Sequence, residues 1–292
     1  MSDNANFSYE SPRSAAGEID HVELLSSQTR ALYHSQEFAD VTFIVENRKF
    51  YAHRVVLAAR SEYFRALLFG GMKEAKPQVE IDMADTTASA FDALLKYVYS
   101  GKIFLSDFKD ETVLDLLGLA HKYGFLALES GVQGYLKSIL SVQNAAYIFD
   151  VSSLYQLHDL YLTSLRFLDR SAADILSTGA FSCLSKSALL DIIKRDSFCA
   201  PEVQIFRAVA EWVEANQGLN KNDIAEVLGE VRLPLISLHD LFHTVRPSKL
   251  FEADAILDAI KLKTESRVNE MKFRGHLGKV LLIQISLAGY FI

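Results

Sequence analysis

His239 and His243 stand four residues apart, a spacing that would let both imidazoles face one side of a helix and begin a metal site. A third ligand at family spacing does not stand nearby, so the pair reads as structural rather than ligating. Cys199, three residues after Asp196, raises the question of a nucleophile. A thiol needs a base or a lowered pKa to attack, no histidine lies near it in sequence, and its neighbours Phe198 and Ala200 favour plain packing. Gly70-Gly71 is the nearest approach to a phosphate-cradling loop, yet it follows a helical pattern and leads to Glu74 rather than to Lys-Ser/Thr. That pair is expected to end a helix. The residue types that could do chemistry therefore point to no catalytic centre, no metal and no cofactor, and the expectation is a protein that is not an enzyme.

Composition narrows the binding partners. The 292 residues carry 30 basic and 37 acidic side chains, a net charge of -7, which opposes a polyanionic partner, so nucleic acid is not expected. Tyr33, Tyr63, Phe64, Tyr97 and Tyr99 could form a stacking platform for single strands, but the acidic balance favours core and interface packing. Cys183 and Cys199 fall on different elements and offer neither a disulfide framework nor a Cys-x-x-Cys site, which implies a reducing, cytoplasmic compartment. Residues 1–17 lack both a basic start and an apolar run and read as a disordered leader. Val280 to Ile292 is apolar but below the roughly 17 residues that a spanning helix needs, so no membrane anchor is expected. Lys261, Lys263, Arg267, Lys272, Arg274 and Lys279 form a local basic excess, read as a solvated face.

The elements that must position any site begin at Asp40. Between there and Leu68 the hydrophobic period changes twice. Val41, Phe43 and Val45 alternate as a strand does, Asn47-Arg48 offers a tight turn, and Lys49 to Ala52 supplies a second strand. From His53 the apolar spacing becomes helical, with a break near Ser61, a good N-cap residue. Before this core, Ile19 to Tyr33 reads as an amphipathic helix with Asp20 and Glu23 near its start. After it, Ala75 to Gln78 breaks the pattern ahead of a short strand at Val79, and Thr86-Thr87 is expected to cap a helix that Gly101 ends. Glu111 to Tyr123, Leu126 to Leu140 and the later segments all read as helical. Trp212, beside Phe206, Val209 and Val213, is a core anchor whose indole N–H needs an acceptor.

The hairpin-and-helix core resembles the BTB/POZ family, whose pattern runs Asp-Val-x-Phe, then Phe-x-Ala-His-Arg-x-Val-Leu-Ala, then Ser-x-Tyr-Phe. All three pieces are present between Asp40 and Phe64, and the match continues through Phe69 to Glu74, Val79 to Met83, Phe91 to Gly101 and Leu119 to Glu129. Ser197 to Val213 and Val231 to Ser237 resemble the BACK domain that follows BTB in many ubiquitin-ligase adaptors. The resemblance implies an α+β fold: a BTB/POZ domain with a small sheet capped by helices over residues 18–140, then an all-α BACK domain over 141–265, docked rigidly. A divergent, poorly ordered tail over 266–292 would follow.

The resemblance also implies partners. A homodimer would form through the N-terminal helix, with Asp40 and Arg54 at the family's paired-charge positions near the dimer groove. Met72, Lys73 and Glu74 match the hydrophobic-x-Glu motif through which such adaptors contact cullin-3, with Met72 an adaptable apolar knob and Glu74 an anchoring acceptor. The function implied is a cullin-3 ubiquitin-ligase adaptor for a substrate protein that the sequence does not name. Similar proteins continue beyond the equivalent of Phe273-Arg274-Gly275 into discoidin-like domains, so the chain is expected to be truncated before its substrate-recognition module. The alternative is an oligomerisation scaffold or regulatory binding protein without ligase activity.

Overall fold

The computed structural model describes residues 19–71 and 79–265, and the chain divides into two compact units at Leu126/Ala127. In the first unit β1 (Val41–Val45) is the centre of a three-stranded sheet, antiparallel to β2 (Arg48–Ala52) and parallel to β3 (Val79–Asp82). Alternation along β1 buries Val41, Phe43 and Val45 on one face. The hairpin turn lies one residue earlier than the sequence suggests. Glu46 and Asn47 are its central pair, with φ of 48° and 62°, and Val45 pairs with Arg48. A two-residue loop matched to strand twist needs positive φ at both central positions, and Asn47 tolerates that conformation well.

The strands feed α2 (Arg54–Arg60) and α3 (Glu62–Phe69). Ser61 separates them as expected: its Oγ accepts from the Phe64 N–H at 3.3 Å and donates to the Tyr123 carbonyl at 2.6 Å. The cap of α4 (Ala88–Ser100) differs from the expectation. Thr87 holds the N-cap position, but its hydroxyl donates to Asp115 at 2.8 Å, and the carboxylate of Glu46 accepts the Ala88 N–H at 3.1 Å. A long-range acidic group thus does what the local hydroxyl could have done, with the favourable charge for a helix N-terminus. Gly101 ends α4 at φ 68°, as read from the sequence. The core is aromatic at its centre. Phe43 meets Phe91 at 5.1 Å and Phe64 at 5.9 Å, while Phe64 meets Tyr123, just past α5 (Asp110–Lys122), at 4.9 Å.

The amphipathic helix is shorter than its sequence pattern: α1 spans Val22–Ala31, with Asp20 accepting the Val22 N–H at 2.9 Å. From α6 (Leu126–Ser138) onward the described residues form helices joined by loops, with no strand among them. The second unit comprises α7 (Ala145–Leu154), α8 (His158–Arg170), α9 (Ala172–Leu176), α10 (Lys186–Ile193), α11 (Glu202–Ala215) and α12 (Lys221–Gly229). A stretch follows that passes from α13 (Leu238–Asp240) through a π-helical segment, Leu241–Val245, into α14 (Arg246–Ser248), and α15 (Ala253–Glu265) closes the unit. Its core gathers Phe149, Phe181, Phe198, Phe206, Trp212 and Leu241. Among the described residues no helix is long and apolar enough to cross a membrane.

The indole N–H of Trp212 finds its acceptor in the Leu184 carbonyl at 2.8 Å. Trp212→Phe removes that donor and part of the ring, leaving a buried carbonyl without its partner. A loss of about 2 kcal/mol of stability is expected, read from urea denaturation followed by circular dichroism. Stability equal to the parent chain would show that the bond contributes nothing.

Candidate protein-interaction site

Asp40 and Arg54 meet at the junction where β2 becomes α2. The carboxylate of Asp40 accepts the backbone N–H of Arg54 at 2.7 Å. The Arg54 side chain is buried, donates from Nη2 to the Leu68 carbonyl, and lies with its guanidinium 4.7 Å from the centre of the Phe69 ring. Asp40 therefore satisfies one of the open donors at the start of α2. Arg54 satisfies one of the open carbonyls at the end of α3. Each holds a terminus of a short helix.

The neighbouring donor is handled by Tyr99, which the sequence placed among the packing aromatics without a polar partner. The His53 N–H donates to the Tyr99 hydroxyl at 2.9 Å, His53 Nδ1 lies 2.8 Å from the same oxygen, and Nε2 lies 2.8 Å from the Glu37 carbonyl. A carbonyl only accepts, so Nε2 carries the proton and Nδ1 accepts from the Tyr99 O–H. Burial pushes the Tyr99 hydroxyl up to about 12, while the His53 N–H partly opposes the rise. His53 stands within the Ala-His-Arg motif, so its position was visible, but its partners lie 16 and 46 residues away and no local pattern names them.

A second anchor fixes the end of α1. Beyond that helix the Tyr33 hydroxyl donates to Asp92 on α4 at 2.7 Å, and His34 Nε2 lies 2.8 Å from the same carboxylate oxygen. Burial first, then the hydrogen bond to Asp92 and its charge, raise the Tyr33 pKa far above the ordinary tyrosine range. Despite this anchor α1 has no buried residue. Val22 and Leu25 are 70% and 65% exposed, and Ile19 just before the helix is 83% exposed. An apolar stripe at helical spacing, ordered yet uncovered, has the character of a docking surface.

Met72, Lys73 and Glu74 lie outside the described residues. What leads to them is described. Gly70 is the C-cap of α3, its N–H bonded to the Ala66 carbonyl at 2.8 Å, and a Cβ there would stand 2.3 Å from that carbonyl oxygen. Gly71 follows at φ 82°. The two glycines thus end α3 as the sequence indicated, the first through close approach and the second through a left-handed backbone. They deliver the chain to Met72 without a side chain of their own.

The remaining chemical candidates are placed as follows. The rings of His239 and His243 are 4.4 Å apart, and among the described residues no group of three or more metal-ligating side chains occurs. Cys199 is exposed between buried Phe198 and Ala200, which corrects the expectation that it packs: its neighbours fill the core and turn the thiol outward. Of the five aromatics considered for stacking, Phe64 and Tyr99 are buried in the core. From the basic group near the end of the chain, Lys263 donates to the Ile236 carbonyl at 2.7 Å, and Arg267, Lys272, Arg274 and Lys279 lie outside the described residues.

Comparison with known families shows which domains carry these residues. The BTB/POZ domain model matches residues 30–140, and the model described as BTB And C-terminal Kelch matches residues 145–246. The chain belongs to the BTB/POZ–BACK family. BTB/POZ domain-containing protein 9 of Homo sapiens is 52% identical over 266 residues, which are 91% of this chain and 43% of that relative. The protein of the same description from Drosophila melanogaster is 43% identical over 85% of this chain and 34% of its own length. Kelch-like protein 28 of Mus musculus is 29% identical over 81% of this chain and 40% of that relative. The chain thus spans less than half the length of the relatives it matches. The three-stranded sheet with its helices is the BTB part, the helical matched region is the BACK part, and the whole is an α+β protein-interaction module.

The Tyr99 node in the BTB domain gives a test at alkaline pH. An unfolded tyrosine loses its proton near pH 10, whereas Tyr99 keeps its own until about pH 12. Through that window the folded state binds more protons than the unfolded state, so stability is complete below pH 10 and declines as pH rises. An ultraviolet difference titration is expected to show tyrosines ionising above pH 10, and Tyr99→Phe should remove part of that late amplitude. An unaltered late phase in the variant would contradict the assignment.

Proposed function

We propose that this chain is a homodimeric BTB–BACK substrate adaptor that docks on cullin-3 in a RING ubiquitin ligase in the cytoplasm. The observation that carries the reading is the succession of a BTB and a BACK domain in one chain with Met72-Lys73-Glu74 directly after the glycine pair that ends α3. Kelch-like protein 28 among the relatives supports an adaptor role. The chemistry of the motif suits a protein partner: the Met72 side chain offers a flexible apolar contact and the Glu74 carboxylate accepts hydrogen bonds. The uncovered apolar stripe of α1 supports the dimer.

The cullin reading is tested by pull-down and titration with purified cullin-3. Met72→Ala combined with Glu74→Ala is expected to weaken binding by about 2 kcal/mol or more, roughly thirtyfold, with the far-ultraviolet spectrum unchanged. Equal affinity in the folded double variant would sink it and favour the scaffold reading.

Light scattering at micromolar concentration tests the dimer. The intact chain is expected at twice its 32.7 kDa mass, and removal of residues 1–35 should yield monomer or aggregate by stripping the α1 surface. A monomeric intact chain would overturn it.

A further inference from the structure

A cleft of about 330 Å³ opens between the α2–α3 junction and the end of α5, all within the BTB domain. Ser61 and Tyr123 are buried at its floor, and Tyr63, 41% exposed, stands at its edge. Its rim carries Arg60, His121 and Lys122, all exposed. The guanidinium of Arg60 lies 5.3 Å from the centre of the Tyr97 ring, and the ammonium of Lys122 lies 5.6 Å from that of Tyr123. Such stacking restricts both cations before any ligand arrives. Glu62 is the single carboxylate of the lining, and it is paired with Arg65 at 2.8 Å. Among the described residues, neither Arg60 nor Lys122 has a carboxylate within ion-pair distance.

Part of this arrangement follows from helix ends. Arg60 and Lys122 occupy the last turns of α2 and α5, where cations balance the partial negative charge of the open carbonyls. That accounts for where the cations are along their helices. It does not account for their meeting across a tyrosine-lined concavity on a protein whose net charge is -7. The volume is at the small end of ligand clefts, suited to one or two side chains, and the chain's overall charge disfavours a polyanion.

We propose that this cleft receives an acidic side chain, glutamate or aspartate, presented by a docking protein, with an adjacent apolar group of that protein against Tyr63. Arg60 and Lys122 supply the charge, and the tyrosine rings exclude water from one side of the ion pairs, which strengthens them relative to pairs in open solvent. This goes beyond the cullin-3 reading and its test uses no cullin, so the two stand or fall separately.

The probe is a peptide carrying fluorescein on its N-terminal amine, fluoresceinyl-Glu-Glu-Leu-Glu-Glu-amide, titrated with the intact chain and followed by polarisation. Saturable binding is expected, weakened by added salt as screening shortens the reach of the charges, with no binding of the Lys-Lys-Leu-Lys-Lys counterpart. Arg60→Glu with Lys122→Glu should weaken the acidic peptide at least about tenfold. If charge reversal disturbs folding, Arg60→Gln with Lys122→Gln, which removes charge without reversing it, should still weaken binding severalfold. Absence of saturable binding, or equal binding by a folded variant of either kind, would overturn the proposal.

Discussion

The BTB unit depends on how two adjacent backbone donors are satisfied where β2 turns into α2. The N–H groups of His53 and Arg54 lie at the start of a helix of seven residues, and the helix that follows has only eight. Helices this short are not stable on their own, and an unpaired donor buried at such an end would cost about 1–3 kcal/mol. The Tyr99 hydroxyl and the Asp40 carboxylate take the two donors, and Arg54 turns back to the Leu68 carbonyl at the end of α3. One polar node therefore ties α4, the chain before β1 and both ends of the helical pair. It also satisfies a carbonyl in the last turn of α3. The glycine pair follows that turn, and with it the approach to Met72.

The node explains why the period of the chain was readable and its chemistry less so. Strand alternation at Val41, Phe43 and Val45, the helical spacing after His53, the Ser61 cap and the Gly101 stop are all local signals, and each element appears where its pattern lies. The resemblance named Asp40 and Arg54 as paired charges near a dimer groove. What no local pattern could show was the mode of contact: the carboxylate of Asp40 meets a backbone N–H, and the guanidinium of Arg54 reaches a carbonyl fourteen residues on. Glu46 and Asp92 were missed for the same reason. Each is an acidic residue at an unremarked position whose partner lies 42 or 59 residues away, and only the folded chain brings the pairs together.

Cys199 fails in the opposite direction. Its sequence neighbours are core residues, and a run of apolar side chains invites the inference that everything in it is buried. Phe198 and Ala200 are, but the chain leading into α11 is not a regular strand or helix, so neither period fixes the direction of the residue between them. Sequence patterning predicts facing only where a repeating backbone supplies the repeat. Trp212 shows the contrast. On the regular helix α11 its buried face followed from its neighbours, and the requirement for an indole acceptor followed from burial.

Surface exposure has its own logic. Ile19, Val22 and Leu25 are all exposed at the start of α1, and burying six such side chains between two copies would contribute roughly 9–18 kcal/mol at full coverage. Association itself costs about 4–15 kcal/mol before any ordering of side chains and loops. On those magnitudes these side chains alone give a dimer with little margin, so any ordering left to the moment of association would weigh heavily. The Tyr33–Asp92 and His34–Asp92 contacts act on that side of the balance. They hold the end of α1 against α4 within a single chain, so the helix is already in place when a second copy arrives. An exposed apolar helix fixed by polar contacts at its base is thus better suited to a partner than the same residues on a loose segment, because the fold has already met the ordering cost that binding would otherwise carry.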